Sequence, residues 1–306
     1  MISKTHLKYY LLILALTIGF IPGFAKEVDD DPEVKVYVEV EKEGYVGQPL
    51  EYRVMLASTS RNIADVRVAS WPNISLGCNV VKGAVNNQKP VEKKEKGKTW
   101  YVWTVMRNFI IPEKEGKFEI GEGEYVVFVP FERIVNDFFW GARRMVDYDE
   151  IIAKSGKASF KVSNLPEKGR PQDFSGCVGN FTIEGWFPPG EIRVGKEAIV
   201  VFRISGFGSL ENLKLPNIAR SFTDGCSLRE IDQNENISQK NGRFFSEVTL
   251  TCRFTPETAD GEIKPIEIVF FNPDTKKYET VGSEPLKWNN IKTPSTKTPA
   301  YDAIEI

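Results

Sequence analysis

Histidine, cysteine and paired carboxylates are the side chains best suited to acid–base and nucleophilic chemistry. This 306-residue sequence offers little of the first. Its single histidine, His6, lies in an apolar N-terminal stretch that reads as a leader. The chain beyond it therefore has no imidazole. That excludes Ser-His-Asp and Cys-His sites there, and removes the commonest transition-metal ligand. Four cysteines are present, Cys78, Cys177, Cys226 and Cys252, and no two have C-x-x-C spacing. Such spacing would have pointed to thioredoxin chemistry or a zinc knuckle. Carboxylates alone can cleave glycosides, but only across a cleft, and nothing in the sequence signals one. The run Asp29-Asp30-Asp31 with Glu33 reads as a solvated segment rather than a calcium loop. The expectation is a non-enzyme with no catalytic residue, no metal, no cofactor and no small-molecule ligand.

Binding is better represented. Phe138, Phe139 and Trp140 are followed closely by Arg143 and Arg144, in a segment that shows no strand alternation. Aromatics and arginine are enriched at interface hot spots, so an exposed arrangement would be a partner contact. The other reading folds the three aromatics back to cap the first domain, and the sequence leaves both open. Lys and Arg number 40 against 42 Asp and Glu, and so balanced a charge gives no electrostatic reason to expect nucleic-acid binding. Six tryptophans and ten tyrosines leave a carbohydrate-binding or adhesin-like module as the alternative function, since aromatic faces stack on apolar surfaces.

The elements that must present these residues are strands. Val34, Val36, Val38 and Val40 alternate with polar or aromatic neighbours, the period-two pattern of a half-buried strand. Similar runs occur at Leu50 to Ala57, Trp100 to Met106, Glu124 to Val129 and Ala158 to Val162. They continue at Asn180 to Glu184, Ala198 to Ile204, Phe244 to Phe254 and Ile266 to Phe271. Gly, Pro, Asn and Asp punctuate them. The best helical candidate is short, at Val146 to Ala153, and Gly206-Phe207-Gly208 reads as a turn or bulge. The pattern predicts an all-β chain of two tandem immunoglobulin-like or fibronectin-like β-sandwich domains.

The sequence also repeats. Val46-Gly47 leads into the Leu50 strand, and Val194-Gly195 leads into the Ala198 strand, 148 residues later. Pro112-Glu113 and Pro256-Glu257 recur at an offset of 144. Two echoes in the same order imply a duplicated domain. The expected boundaries are a signal peptide at 1–25, domain one at 27–163, a Pro-containing linker at 164–173, domain two at 174–289 and a flexible tail at 290–306. Lys4 and Lys8, the apolar run Tyr9 to Phe20 and Gly23-Phe24-Ala25 have the form of a secretory leader cut after Ala25. Periplasmic export follows from that, with an uncleaved N-terminal inner-membrane anchor as the alternative. No other run is long and apolar enough to span a bilayer. An oxidising compartment permits disulfides. Cys226 and Cys252 flank a predicted hairpin, and closing that loop is worth about 3.5 kcal/mol in the chain-entropy model. Cys78 with Cys177 would then tie the domains together. Four free thiols is the other reading.

One run is more specific. Leu165-Pro166-Glu167-Lys168-Gly169-Arg170-Pro171 followed by Phe174-Ser175-Gly176-Cys177-Val178-Gly179-Asn180-Phe181 resembles the connector of the BatD family, the bacterial aerotolerance or oxygen-tolerance proteins. The segment Ser205-Gly206-Phe207-Gly208-Ser209-Leu210 resembles that family's Ser-Gly-x-Gly-Asn-Leu stretch, with Ser209 in place of Asn. Phe270-Phe271-Asn272-Pro273 with Tyr278 resembles its Phe-Asp-Pro segment, and Asn136 to Gly141 resembles a Phe-rich insertion in the first domain. The resemblance implies an envelope scaffold that acts with von Willebrand A-type membrane proteins and a MoxR-type ATPase system. It implies no catalytic residue. It also implies a transmembrane helix after the second domain, a feature that this sequence does not show, which makes the chain resemble a short member.

Overall fold

In the first half of the chain the strands are β1 (Val34–Val40), β2 (Glu43–Tyr45), β3 (Leu50–Ser58), β4 (Asp65–Ser70), β5 (Cys78–Lys82) and β6 (Val91–Glu95). They are followed by β7 (Lys98–Pro112), β8 (Gly116–Ile120), β9 (Glu124–Asp137), β10 (Gly141–Lys154) and β11 (Ala158–Ser163). The computed structural model describes residues 32–85, 89–137, 141–223 and 225–289; the predicted leader and tail lie outside them. One sheet has the order β1-β3-β7-β5, with β6 also on β7. Two three-stranded sheets, β2-β11-β8 and β10-β9-β4, face it. Val36, Leu50, Tyr52, Val54 and Leu56 meet Phe118, Ile120, Tyr125, Val127 and Phe160 between the layers. This is the inward alternation of a sandwich, and each fully buried aliphatic side chain contributes about 1.5–3 kcal/mol by leaving water. A register shift between Val54 and Met55 puts one extra residue in β7 and reverses the faces of that strand, while β3 alternates unbroken. Met55, Ala57, Trp100 and Val102 then form a separate cluster, with the Lys35 ammonium 3.9 Å from the Trp100 ring.

The second half has β12 (Phe174–Trp186), β13 (Ala198–Ser209), β14 (Cys226–Lys240) and β15 (Arg243–Pro256). Then come β16 (Asp260–Ile263), β17 (Glu267–Asn272), β18 (Lys277–Gly282) and β19 (Leu286–Asn289). A six-stranded sheet, β14-β15-β13-β12-β17-β18, is covered by the pair β16-β19 and by a single 3-10 turn at Ile218–Ser221. Val200, Phe202, Ile204, Val248, Leu250 and Phe254 pack there against Ile263 and Trp288. Among the described residues no strand pairing joins the two halves. The chain is all-β and sandwich-like.

The duplication is visible in hydrogen bonds. Gly47 N–H donates to the Pro112 carbonyl at 2.8 Å, and Gly195 N–H donates to the Pro256 carbonyl at 2.8 Å. Both glycines have positive φ, 80° and 71°, which a side chain would strain. Glu113 N–H donates to Gly77 O at 3.0 Å, and Glu257 N–H to Gly225 O at 2.7 Å. Cys78 stands opposite Pro112 and Cys226 opposite Pro256. The order β1-β3-β7-β5 recurs as β12-β13-β15-β14. The halves differ most at one hairpin: β9–β10 runs from Glu124 to Lys154, 31 residues, where β17–β18 runs from Glu267 to Gly282, 16 residues.

Two sequence expectations need correction. Val146 to Ala153 is no helix; it belongs to β10, paired without a register break to β9. Its alternation of Val146, Tyr148 and Ile152 with Asp147, Asp149 and Ala153 fits a strand, and cross-strand pairing outweighs weak helical propensity. Gly206-Phe207-Gly208 is no turn; it lies inside β13, paired to Phe181, Asn180 and Gly179 of β12. A Cβ on Gly208 would lie 2.4 Å from Val178 O, and one on Gly179 would lie 2.5 Å from Phe207 O. The two backbones approach where neither carries a side chain, and the Phe181 ring covers the bare surface.

Candidate protein-binding surface

The longer hairpin carries the strongest candidate. At its base β9 pairs with β4 through residues Glu124 to Phe128. Beyond Phe128 its only strand partner among the described residues is β10, so the hairpin continues as a two-stranded ribbon. Cross-strand pairs place Val126 with Ile152, Pro130 with Tyr148, Glu132 with Val146 and Ile134 with Arg144 on one face. On that face Ile134 is 71% exposed, Ile152 67%, Val146 57% and Tyr148 51%. The other face carries exposed Phe131 and Met145, beside an ion pair of 3.1 Å between Arg133 Nε and Asp147 Oδ2. Arg144 and Glu132 make a looser pair at 3.5 Å. Exposed pairs of this kind contribute about 0–1 kcal/mol. A two-stranded ribbon is marginal alone in water, and its apolar side chains gain most by being covered.

The sequence-based candidates fall here only in part. Arg143 and Arg144 are not in a loop between strands but in β10, opposite Val135 and Ile134. Successive strand residues point to opposite faces, so the two arginines do not form one patch. Phe138, Phe139 and Trp140 lie outside the described residues. Sequence reasoning missed Ile134, Val146, Tyr148 and Ile152. Their signal was period-two spacing of β-branched and aromatic residues, hidden because acidic neighbours made the segment look helical.

The second feature is the joint between the sandwiches. Phe109 and Ile111 of β7 and half-buried Val81 pack on Phe244 of β15, and the Phe109 and Phe244 rings meet edge to face at 5.4 Å. Tyr45 meets Phe271 at 4.9 Å. Tyr278 O–H donates to the linker carbonyl of Pro166 at 2.8 Å, and Ala84 N–H donates to Gln239 Oε1 at 2.8 Å. Beside this contact is a cleft of about 180 Å³ whose lining includes Glu41, Glu51, Arg243 and Asp274. Arg107 Nε lies 2.7 Å from Glu51 Oε1. Burial, with the neighbouring charges of Glu51 and Asp274, pushes the Glu41 carboxyl above its ordinary range, against the backbone hydrogen bond from Glu51 and the charge of Arg243.

The expected disulfides are not formed; each of the four cysteines carries a thiol. Cys226 faces Pro256 and Cys252 faces Ile231. The two are thus offset by four residues along the hairpin, about 13 Å at strand rise, where a bridge needs Cα atoms within about 7 Å. Cys177 is fully buried in the second core, whereas Cys78 packs against the first. They do not tie the domains together.

Among the described residues no helix is long and apolar enough to cross a membrane, and no group of three His, Cys, Asp or Glu side chains is placed to hold a metal ion. In comparisons with known proteins, no family model and no curated protein matches the chain.

Proposed function

We propose that this chain is an exported, non-enzymatic scaffold that binds other proteins, of the BatD aerotolerance type, acting with von Willebrand A-type proteins of the bacterial envelope. One observation carries the binding role: the β9–β10 ribbon is 15 residues longer than its counterpart β17–β18, and the added length exposes Ile134 and Val146. The duplicated half serves as an internal control, because it closes the same kind of core with the shorter hairpin. Sandwich closure therefore does not account for the extra length, and a partner surface does. The connector and Ser-Gly-x-Gly resemblance supports the choice of partner class, as does the leader-like N-terminus for export.

The test compares the wild-type chain with Ile134→Ser/Val146→Ser, each tagged and recovered from the envelope of cells that produce it. Both positions are exposed, so melting temperature should stay within about 2 °C. The wild type should retain a von Willebrand A-type protein and the variant should lose it. Equal recovery by both, or recovery by neither, would overturn the reading. Binding to immobilised glycans by both chains would favour the carbohydrate-binding alternative instead.

A further inference from the structure

Strand β14 is the outermost strand of the six-stranded sheet, paired to β15 along its whole length. Its other edge has no strand partner among the described residues, and residues Glu230 to Ile237 are all exposed. Open edges are usually kept short or broken by proline. This one is 15 residues long and has no proline, where the matching β5 has 5 residues. Its one irregularity is the register shift between Leu228 and Glu230.

We propose that this edge pairs antiparallel with the same edge of a second copy of the chain, with Asn234 on the two-fold axis. A two-fold axis normal to a sheet keeps each side chain on its own face. A residue can therefore oppose only residues an even number of positions away. Centred on Asn234, Ile231 opposes Ile237 of the second copy, and this contact occurs twice. Ile231 and Ile237 are the two exposed large apolar residues of β14, at 36% and 42%. In the same register Glu230 opposes Ser238, Asp232 opposes Asn236 and Gln233 opposes Glu235, so no two like charges face each other.

Neighbouring registers do worse. Centring on Asp232 or Glu235 sets a carboxylate against its own copy. Centring on Ile231 sets Glu230 against Asp232. Centring on Gln233 or Asn236 sets an isoleucine against Glu235, and centring on Ile237 leaves Ile231 outside the pairing. The spacing of apolar and acidic residues is thus self-complementary about one residue. The acidic side chains that would repel most foreign strands are tolerated by this one partner.

Sedimentation velocity of the full chain across a concentration series tests this. The wild type should show a reversible monomer–dimer equilibrium. Gln233→Lys would face Glu235 of the second copy at two symmetric positions and should tighten the dimer about tenfold, and Gln233→Glu should weaken it about tenfold. Position 233 is exposed, and an unchanged melting temperature confirms folding. Asn234→Cys should cross-link under mild oxidation, whereas Asn236→Cys should not. A wild type that stays monomeric at every soluble concentration would overturn the proposal. So would charge changes at 233 that act in the same direction or not at all.

Discussion

The Cys252 thiol is fully enclosed by the second core, and burial pushes it up to about 12; Cys177 is pushed up to about 11 by the same cause. Burial disfavours the charged thiolate, the reactive form. Burial therefore protects these two thiols from oxidation. Iodoacetamide at mild alkaline pH should label at most half-buried Cys78 in the native protein and all four cysteines after denaturation. Intact mass under non-reducing conditions should show no bridge, and a Cys226–Cys252 peptide would contradict the register of β14 on β15. The same shifts set a pH dependence. A thiol ionises in the unfolded chain at about 8.5 and a tyrosine at about 10. In the folded chain Cys177, Cys252 and Tyr125 hold their protons until about 11 to 12. The unfolded state then binds fewer protons, so stability falls as pH rises from about 8.5 toward 12. Thermal melts between pH 7 and pH 10.5 should show that decline.

At the scale of the element, the β12–β13 crossing and the β9–β10 ribbon show what pairing adds to propensity. Gly208 carries φ 147° and sits against Val178 O. Gly208→Ala should destabilise by at least about 2 kcal/mol, from the strained φ and the overlap together, as read by urea unfolding. The glycines were legible in the sequence, but only as chain breakers. Their role in letting two strands approach depends on which strand lies alongside, and a single strand carries no record of that. The ribbon was similarly half legible. Its aromatic and arginine content drew attention, whereas the exposed Ile134 and Val146 emerge only once register assigns each residue to a face.

At the scale of the whole molecule, the two sandwiches share a small apolar joint. Phe109 and Phe244 are both buried there, and each truncation of such a ring costs about 3–5 kcal/mol. Phe109→Ala/Phe244→Ala should therefore separate the unfolding of the two halves. Calorimetry should show one cooperative transition for the wild type and two for the variant. A single unsplit transition in the variant would mean that the linker contacts of Tyr278 and Pro166 couple the halves without the ring pair.

The all-β class, nine of the strands, the turn glycines and the duplication follow from local pattern: period-two alternation, positive-φ glycine and a recurring spacing are written in consecutive residues. The absence of histidine after His6 is likewise a property of sequence alone. Disulfide geometry, the faces of Arg143 and Arg144, the close glycine crossing and the open β14 edge were decided by tertiary structure. Each depends on the register between segments remote in the chain. A shift of one residue in that register turns every side chain to the opposite face.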